Sequence, residues 1–105
     1  MKEFKIGDKI VGGAAPVFIV AEMSANHLQN FDIAVKIIKE AAKAGADAIK
    51  LQTYTPDTMT LNVDNDYFKI KQGTIWDGRT LYDLYQEAYM PWEWQPKLQK
   101  IAKEE

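Results

Sequence analysis

The chain has 105 residues and a net charge of −2, from 13 basic and 15 acidic side chains, and it contains no cysteine. This charge balance argues against a nucleic-acid partner, and the lack of thiols excludes disulfides and thiolate metal sites within these residues. No apolar run reaches the roughly 18–20 residues that a membrane span needs. The N-terminus also lacks the apolar core of a signal peptide, so we expect a cytoplasmic protein without a membrane partner.

The first predicted element is a β-hairpin. Residues 4–6 and 9–11 are strand-like and flank Gly7-Asp8, a typical turn pair. In a barrel, such a hairpin commonly closes the bottom. The alternative is a loosely ordered N-terminal arm.

Two later stretches, residues 17–22 and 48–53, are predicted to be β-strands around which the chain is organised. A helical pattern separates them, and a strand–helix–strand unit makes its two strands parallel neighbours. Because side chains alternate between faces, Glu22, Lys50 and Gln52 can converge near the carboxyl ends of these strands. Parallel α/β proteins place their chemistry at that edge. We therefore expect an active-site wall of a carboxylate, an ammonium and an amide.

The intervening helix is predicted from about Phe31 to Ala44. Asn30 is a suitable N-cap, and Gly45 suits the left-handed residue that ends a helix. Its apolar residues recur at helical spacing: Ala34, Ile37, Ile38, Ala41 and Ala42.

From Tyr54 to about Arg79 the sequence shows no clear periodicity, which predicts a long connection. We expect it to form an ordered cover beside the site, anchored by four aromatic residues: Tyr54, Tyr67, Phe68 and Trp76.

Two more helices are predicted near the end of the chain. Residues 80–83, Thr-Leu-Tyr-Asp, resemble a capping box and begin a helix that reaches about Tyr89. The segment around residues 92–98 begins another, with its buried side formed by Leu98, Ile101 and Ala102. Trp92 and Trp94 are expected to be packing anchors. The sequence ends at Glu105, where a third strand would be expected.

Three segments carry a resemblance to a known family. They are Ala-Glu-Met-Ser-Ala-Asn-His at 21–27, Gly-Ala-Asp-Ala-Ile-Lys-Leu-Gln-Thr at 45–53, and Leu-Tyr-Asp-Leu-Tyr-Gln-Glu-Ala at 81–88. In this order they closely resemble the sialic acid (nonulosonate) synthase family. Within it, residues 23–27 and 89–94 look most like the members that make pseudaminic acid.

The resemblance implies that residues 1–105 are the N-terminal part of a (β/α)8 TIM barrel: the first two βα units plus a following helix. The remaining barrel and a C-terminal antifreeze-like domain would be absent from this sequence. Such enzymes are homodimers that condense phosphoenolpyruvate with an acylamino sugar aldehyde, releasing phosphate. A divalent metal, usually Mn²⁺, helps to activate the aldehyde, and its histidine ligands belong to later strands. We therefore expect no metal ligand in this chain, and no activity from the 105 residues alone.

Each site residue has more than one interpretation. An ammonium inside a strand is costly unless it is neutralised, so Lys50 forms either a structural ion pair with Glu22 or a site for the phosphate or carboxylate of phosphoenolpyruvate. The second role matches the family position. Glu22 would point at the sugar, where it can bind hydroxyl groups or move a proton. Gln52 would orient sugar hydroxyls or the acylamino group, or would be a satisfied barrel amide.

The loop after the first strand and the residues beyond the second strand offer further candidates. From its surroundings, His27 is expected to cap or fix the loop and not to ligate a metal. The resemblance instead favours a place at the edge of the site for both Asn26 and His27. Tyr54 and Thr55, directly beyond the second strand, are candidate substrate-binding residues.

Three alternatives remain open at the level of function. Within the family, the product could be N-acetylneuraminate or legionaminate. A Schiff-base aldolase would use Lys50 as its nucleophile. Finally, the segment could be a non-catalytic interaction module.

Overall fold

The computed structural model of the protein describes residues 2–70 and 78–105. Its strands are β1 (Phe4–Ile6), β2 (Lys9–Val11), β3 (Val20–Glu22) and β4 (Ala48–Lys50). Its α-helices are α1 (Phe31–Lys43), α2 (Pro56–Met59), α3 (Leu81–Ala88) and α4 (Gln95–Glu104), and short 3₁₀ turns cover Asp66–Phe68 and Trp92–Trp94. Within these two ranges, no helix combines the length and the apolar character that crossing a bilayer requires.

The predicted hairpin is confirmed: β1 and β2 pair antiparallel, and the turn contains Gly7 at φ +58°. Lys9 forms an ion pair with Asp47, the residue immediately before β4. The second carboxylate oxygen of Asp47 accepts a 2.8 Å hydrogen bond from the N–H of Ile19. The hairpin is therefore attached to the amino ends of β3 and β4, away from the edge predicted to carry the site.

The central pair, β3 and β4, is parallel as predicted, with Val20 opposite Ala48 and Glu22 opposite Lys50. Both strands are shorter than predicted, since residues 17–19 and 51–53 lie outside them. At the amino end, the N–H of Ile19 donates a hydrogen bond to the Asp47 side chain. At the carboxyl end, the chain turns away after the N–H of Met23 donates to the carbonyl of Lys50 at 3.1 Å.

Helix α1 agrees with the prediction to within one residue. The Asn30 side chain accepts a 3.1 Å hydrogen bond from the N–H of Ile33, which satisfies one of the unpaired donors of the first turn. Ala44 is the C-cap, and Gly45 follows at φ +97°, in the left-handed region.

The apolar core lies between α1 and α4 and includes the loop after β3. Its buried members are Met23, Ala34, Ile38, Met90 and Leu98. Trp94 packs against this core, with its ring edge-on to Phe31 at 5.5 Å and to His27 at 5.6 Å between centroids. The prediction that Trp94 is a packing anchor is confirmed. This core fixes the position of the loop that leads from β3 to α1.

The connection after β4 is more regular than predicted, because it contains α2. Pro56 at the first helical position pre-sets its own φ, and the Thr58 hydroxyl bonds the backbone of Thr55. These local signals lie in a stretch too short for a periodic apolar pattern, which explains why the pattern missed them.

The four aromatic residues expected to anchor this connection behave differently. Tyr54 and Phe68 are half-buried, whereas Tyr67 is 90% exposed, so its prediction as an anchor is wrong. Trp76 lies outside the described residues.

Helix α3 begins as predicted, with the Thr80 hydroxyl accepting a 3.2 Å hydrogen bond from the N–H of Asp83. It ends at Ala88, one residue before the predicted end.

Candidate active site

The parallel register places a charged pair where the two strands end. Lys50 Nζ donates to Glu22 Oε1 at 3.3 Å, and the two side chains are 61% and 62% exposed. An exposed pair of this kind contributes about 0–1 kcal/mol to stability, because water and salt screen it. The ion pair that was one of the two interpretations does form, but it is not what holds the strands together. Both groups remain accessible to a ligand.

A cleft of about 650 Å³ lies between the loop after β3 and helix α3. This volume is in the range of small-molecule sites. The lining residues are Ser24, Ala25, Asn26, Leu28, Gln29, Gln52, Tyr54, Leu84, Tyr85, Glu87 and Ala88. Three residues predicted from the sequence to bind substrate, Asn26, Gln52 and Tyr54, therefore share one cleft. Gln52 lies beyond the end of β4, with an exposed side chain.

Thr55 has a different environment. It precedes α2 as its N-cap, where its N–H donates to the Thr58 hydroxyl at 3.0 Å. Among the described residues, the set that lines the cleft does not include Thr55. Its assignment as a substrate-binding residue stays a prediction.

Tyr54 is held in the cleft from two sides. Its ring meets that of Tyr85 edge-to-face at 5.5 Å, and its carbonyl accepts a 2.9 Å hydrogen bond from the indole N–H of Trp92. Trp92 is 53% exposed, so its role here is this hydrogen bond more than burial. Burial raises the pKa of the Tyr54 phenol, and the neighbouring Tyr85 adds to the effect. At neutral pH the phenol is therefore protonated and can donate a hydrogen bond to a ligand.

The loop that forms one wall of the cleft has an unusual backbone. Three non-glycine residues adopt positive φ values: Ser24 at 51°, Leu28 at 53° and Gln29 at 54°. Each such residue costs on the order of 1–2 kcal/mol. Leu28 and Gln29 are the central residues of a turn closed by a 2.9 Å hydrogen bond from Asn30 N–H to the His27 carbonyl. This is the pattern of a type I′ turn, which normally contains Asn or Gly.

His27 stabilises this turn from inside the core. Only 1% of its surface is exposed, and its Nδ1 accepts a 2.9 Å hydrogen bond from the N–H of Gln29. Burial lowers the pKa of His27, which favours the neutral ring. With Nδ1 as an acceptor, the proton is on Nε2, which is buried and finds no hydrogen-bond partner among the described residues. The prediction that His27 fixes the loop is confirmed.

The described residues do not fit a manganese site. Over 2–70 and 78–105, no three His, Cys, Asp or Glu residues are grouped so that they could hold a metal ion. His27, the chain's single histidine, already uses Nδ1 as an acceptor within the loop.

The rim of the cleft carries a neutralised charge. Arg79 donates both guanidinium nitrogens to Glu87, at 2.7 and 2.8 Å. This hydrogen bonding lowers the pKa of Glu87, so that its carboxylate stays ionised beside the cleft. The pair therefore adds no net charge at the rim of the cleft.

Sequence reasoning missed the α3 wall and the role of Gln29. The Gln29 carboxamide donates to the carbonyls of Gln86 and Tyr89, at 3.1 and 3.0 Å. These partners lie 57 and 60 residues further along the chain, and no local pattern signals that distance. The left-handed Leu28-Gln29 pair was also invisible, because its residue types do not favour positive φ.

Of the predicted wall of Glu22, Lys50 and Gln52, only Gln52 lines the cleft, and Glu22 and Lys50 are not among its lining residues. The fold and site together define an α/β protein with a parallel strand–helix–strand unit, a charged pair at its carboxyl edge, and a cleft lined by Gln52, two residues beyond Lys50. A sequence model of the NeuB family matches residues 37–105. The chain belongs to the NeuB family.

Relatives with curated names agree with this assignment. The chain is 55% identical over 89 residues to the pseudaminic acid synthase of Campylobacter jejuni. The aligned region covers 85% of this chain and 26% of that protein. It is 50% identical over 88 residues to the pseudaminic acid synthase of Helicobacter pylori. That aligned region covers 84% of this chain and 26% of that protein. The chain thus spans about a quarter of the length of these relatives.

A solved structure has a similar fold. The N-acetylneuraminic acid synthetase of Leptospira borgpetersenii serovar Hardjo-bovis, in complex with citrate, superposes with a TM-score of 0.74 at 27% identity. The superposition covers 98% of this chain and 31% of that one.

Proposed function

We propose that the protein carrying this chain condenses phosphoenolpyruvate with an acylamino sugar aldehyde to form a nonulosonic acid, with pseudaminic acid as the product. The observation that carries this proposal is the exposed Glu22–Lys50 pair, at one register position at the carboxyl ends of parallel strands. The names of the relatives from Campylobacter jejuni and Helicobacter pylori support the choice of product. N-acetylneuraminate and legionaminate remain the alternatives within the family.

We further propose that the chain is the N-terminal part of a (β/α)8 barrel. The parallel pair, the crossover helix α1 and the hairpin at the amino ends of the strands support this. In the complete protein, the remaining βα units and a C-terminal antifreeze-like domain would lie outside these residues. A cytoplasmic homodimer belongs to the same proposal, as does a divalent metal, Mn²⁺, with ligands outside this chain.

The chemistry needs one anion site and one proton-transfer group from this wall. Phosphoenolpyruvate forms a new bond from its methylene carbon to the aldehyde carbon, and the aldehyde oxygen gains a proton. Water then adds to the neighbouring carbon, and the carbon–oxygen bond to phosphate breaks with its electron pair leaving on phosphate, so that a ketone forms. Of the two protons of water, one balances the proton gained by the aldehyde oxygen and the other goes to the released phosphate. Lys50 would hold the phosphate or carboxylate as a charge-assisted partner. Glu22 would bind a sugar hydroxyl or move a proton.

The cleft would receive the sugar. Asn26, Gln52 and Tyr54 offer amide and phenol groups that can bind hydroxyl and acylamino groups, and these face apolar side chains from α3. A mixed lining of this kind fits a ligand that has both hydroxyl and acyl groups.

The Schiff-base alternative uses the same lysine in another state. In that role Lys50 would be a nucleophile that bonds to the substrate, whereas in the synthase it would hold an anion without a covalent bond. Borohydride trapping separates the two.

The test is an assay of the full-length protein with phosphoenolpyruvate and, in turn, the acylamino sugar precursors of pseudaminic, legionaminic and N-acetylneuraminic acids. We expect one phosphate to be released per molecule of product. The precursor of pseudaminic acid should be the preferred sugar. A parallel reaction with borohydride should leave the protein mass unchanged. A borohydride-trapped adduct on Lys50 would establish the aldolase instead. If neither a nonulosonic acid nor a trapped adduct forms, the result would favour the non-catalytic module.

A further inference from the structure

The loop after β3 is attached to α3 by one side chain. The Gln29 carboxamide nitrogen donates to the carbonyl of Gln86 at 3.1 Å and to that of Tyr89 at 3.0 Å. Carbonyls at the end of a helix lack partners within the helix, so this amide serves as a cap for α3. It joins the two walls of the cleft directly, since Gln29 and α3 residues line its opposite sides.

The same residue is attached to the core through its backbone. The N–H of Gln29 donates to Nδ1 of His27 at 2.9 Å, and His27 is almost completely buried against Trp94. Such a bond requires the neutral ring with its proton on Nε2. Nδ1 thus gives the turn a fixed acceptor, while Nε2 has no hydrogen-bond partner within residues 2–70 and 78–105.

These contacts hold a backbone that its own residues do not favour. Leu28 and Gln29 both have positive φ, at 53° and 54°, although neither is Asn or Gly. Strain that the surroundings enforce is common where geometry matters for a site. The loop carries Asn26 into the cleft, and the neighbouring Leu28 is 75% exposed along its wall.

We propose that His27 and Gln29 are positioning residues that latch the 24–29 loop to α3 and thereby set the width of the cleft for the acylamino sugar. The identity of the ligand rests on the function proposed above, whereas the latch itself does not. Phosphoenolpyruvate would be held by Lys50 on β4, outside the latch. Loss of the latch should therefore weaken the binding of the sugar far more than the binding of phosphoenolpyruvate.

Four variants of the full-length protein separate the contributions. His27→Leu keeps an apolar volume but removes the acceptor, whereas His27→Asn places an amide oxygen near the position of Nδ1. Gln29→Met keeps the side-chain length but cannot donate to α3. The double variant Leu28→Asn/Gln29→Gly favours the turn through its own residues and still lacks the link to α3.

The first readout does not depend on activity. Long-range ¹H–¹⁵N correlation spectra, assigned by difference from His27→Asn, should show His27 protonated at Nε2 only. Hydrogen exchange of the peptide spanning residues 24–30 should accelerate at least tenfold in His27→Leu and in Gln29→Met, and much less in His27→Asn. Unchanged exchange in both of the first two variants, or an Nδ1-protonated ring, would overturn the latch.

The second readout compares the effect of each variant on KM for the sugar with its effect on KM for phosphoenolpyruvate. We expect KM for the sugar to rise about tenfold or more in His27→Leu, Gln29→Met and the double variant, with KM for phosphoenolpyruvate changed less than twofold. Thermal melts confirm that each variant is folded at the assay temperature. Faster exchange with an unchanged sugar KM would show a purely structural link and overturn the positioning role. If the wild-type protein has no synthase activity, the proposed function fails. The hydrogen exchange of residues 24–30 and the tautomer of His27 then decide alone whether the latch exists.

Discussion

Glu22 and Lys50 lie directly opposite each other in the parallel pair, and their charged atoms are 3.3 Å apart at the edge where both strands end. Both side chains are more than half exposed, so the surrounding protein imposes little desolvation on either charge. Removing one partner therefore should not leave a buried, uncompensated charge. Substitutions here can report on chemistry without large losses of stability.

Replacing Glu22 with Gln tests its role in proton transfer. The amide keeps the shape and hydrogen-bonding capacity of the side chain but cannot move a proton, so we expect normal folding and a loss of about 10²–10⁴-fold in kcat. Phosphate release measures the turnover, and a thermal melt measures the stability. Glu40→Gln, on the exposed face of α1, is the matched control and should retain full activity. Near-normal turnover in Glu22→Gln would remove this carboxylate from the chemistry.

Replacing Lys50 with Met tests the anion site. A hydrogen bond to a charged group contributes about 1.5–3 kcal/mol, which corresponds to a roughly 10- to 150-fold increase in KM for phosphoenolpyruvate. The KM for the sugar should change much less. Lys39→Met, on the exposed face of α1, controls for the loss of one positive charge. An unchanged KM for phosphoenolpyruvate would leave Lys50 as only the ion-pair partner of Glu22.

The charged pair could be predicted from the sequence because it depends on two local rules. Alternation along a strand put Glu22 and Lys50 on defined faces, and a helical crossover made their strands parallel. The cleft could not be predicted in the same way. Its second wall is α3, and the contact between Gln29 and the end of α3 depends on how distant elements pack. The exposure of Tyr67 has the same origin, since an aromatic residue in a loop carries no signal of which way it faces.

The buried His27 makes a pH-dependent contribution to stability. The folded-state pKa of His27 lies below the ordinary histidine pKa of 6.5, because burial disfavours the charged ring. The folded state therefore binds fewer protons than the unfolded state as the pH falls below this value, and stability declines there. The contribution is complete above about pH 6.5 and disappears as the pH approaches the folded pKa, with a slope of at most about 1.4 kcal/mol per pH unit.

The measurement is the free energy of unfolding of the full-length protein, obtained with urea at a series of pH values. Comparison with His27→Asn isolates the contribution of this ring. We expect the two curves to converge as the pH falls from 7 to 5. Curves that stay parallel over this range would show that His27 does not titrate between the folded and unfolded states.

Asp47 joins the hairpin to the parallel pair and offers a test at the end of the strands opposite the site. It is paired with Lys9, and it accepts the N–H of Ile19 at 2.8 Å. Asp47→Ala removes both partners and should lower the free energy of unfolding. Asp47→Asn can keep the hydrogen bond to Ile19 and should cost less. Urea unfolding distinguishes the two, and kcat should be unchanged in both, because the hairpin lies away from Glu22 and Lys50.

The last prediction concerns the 105 residues produced alone. Their radius of gyration is 17.1 Å, compared with about 13 Å for a compact domain of this length. Among the described residues, the buried core consists of five side chains, while Val17, Ile19 and Val20 on or beside β3 are 82%, 53% and 47% exposed. In the part of the chain that the structure describes, β3 and β4 pair only with each other, which leaves both edges of the pair open to further pairing.

So little burial gives a small free energy to offset the conformational entropy of ordering the chain. We therefore expect the isolated 105 residues to aggregate or to lack a cooperative unfolding transition, and to release no phosphate from phosphoenolpyruvate with any of the three sugars. Sedimentation velocity measures the association state, and calorimetry measures the cooperativity. The full-length protein, measured under the same conditions, is the control. A monodisperse monomer with a sharp thermal transition would contradict this expectation and would show that these elements suffice for an independent domain.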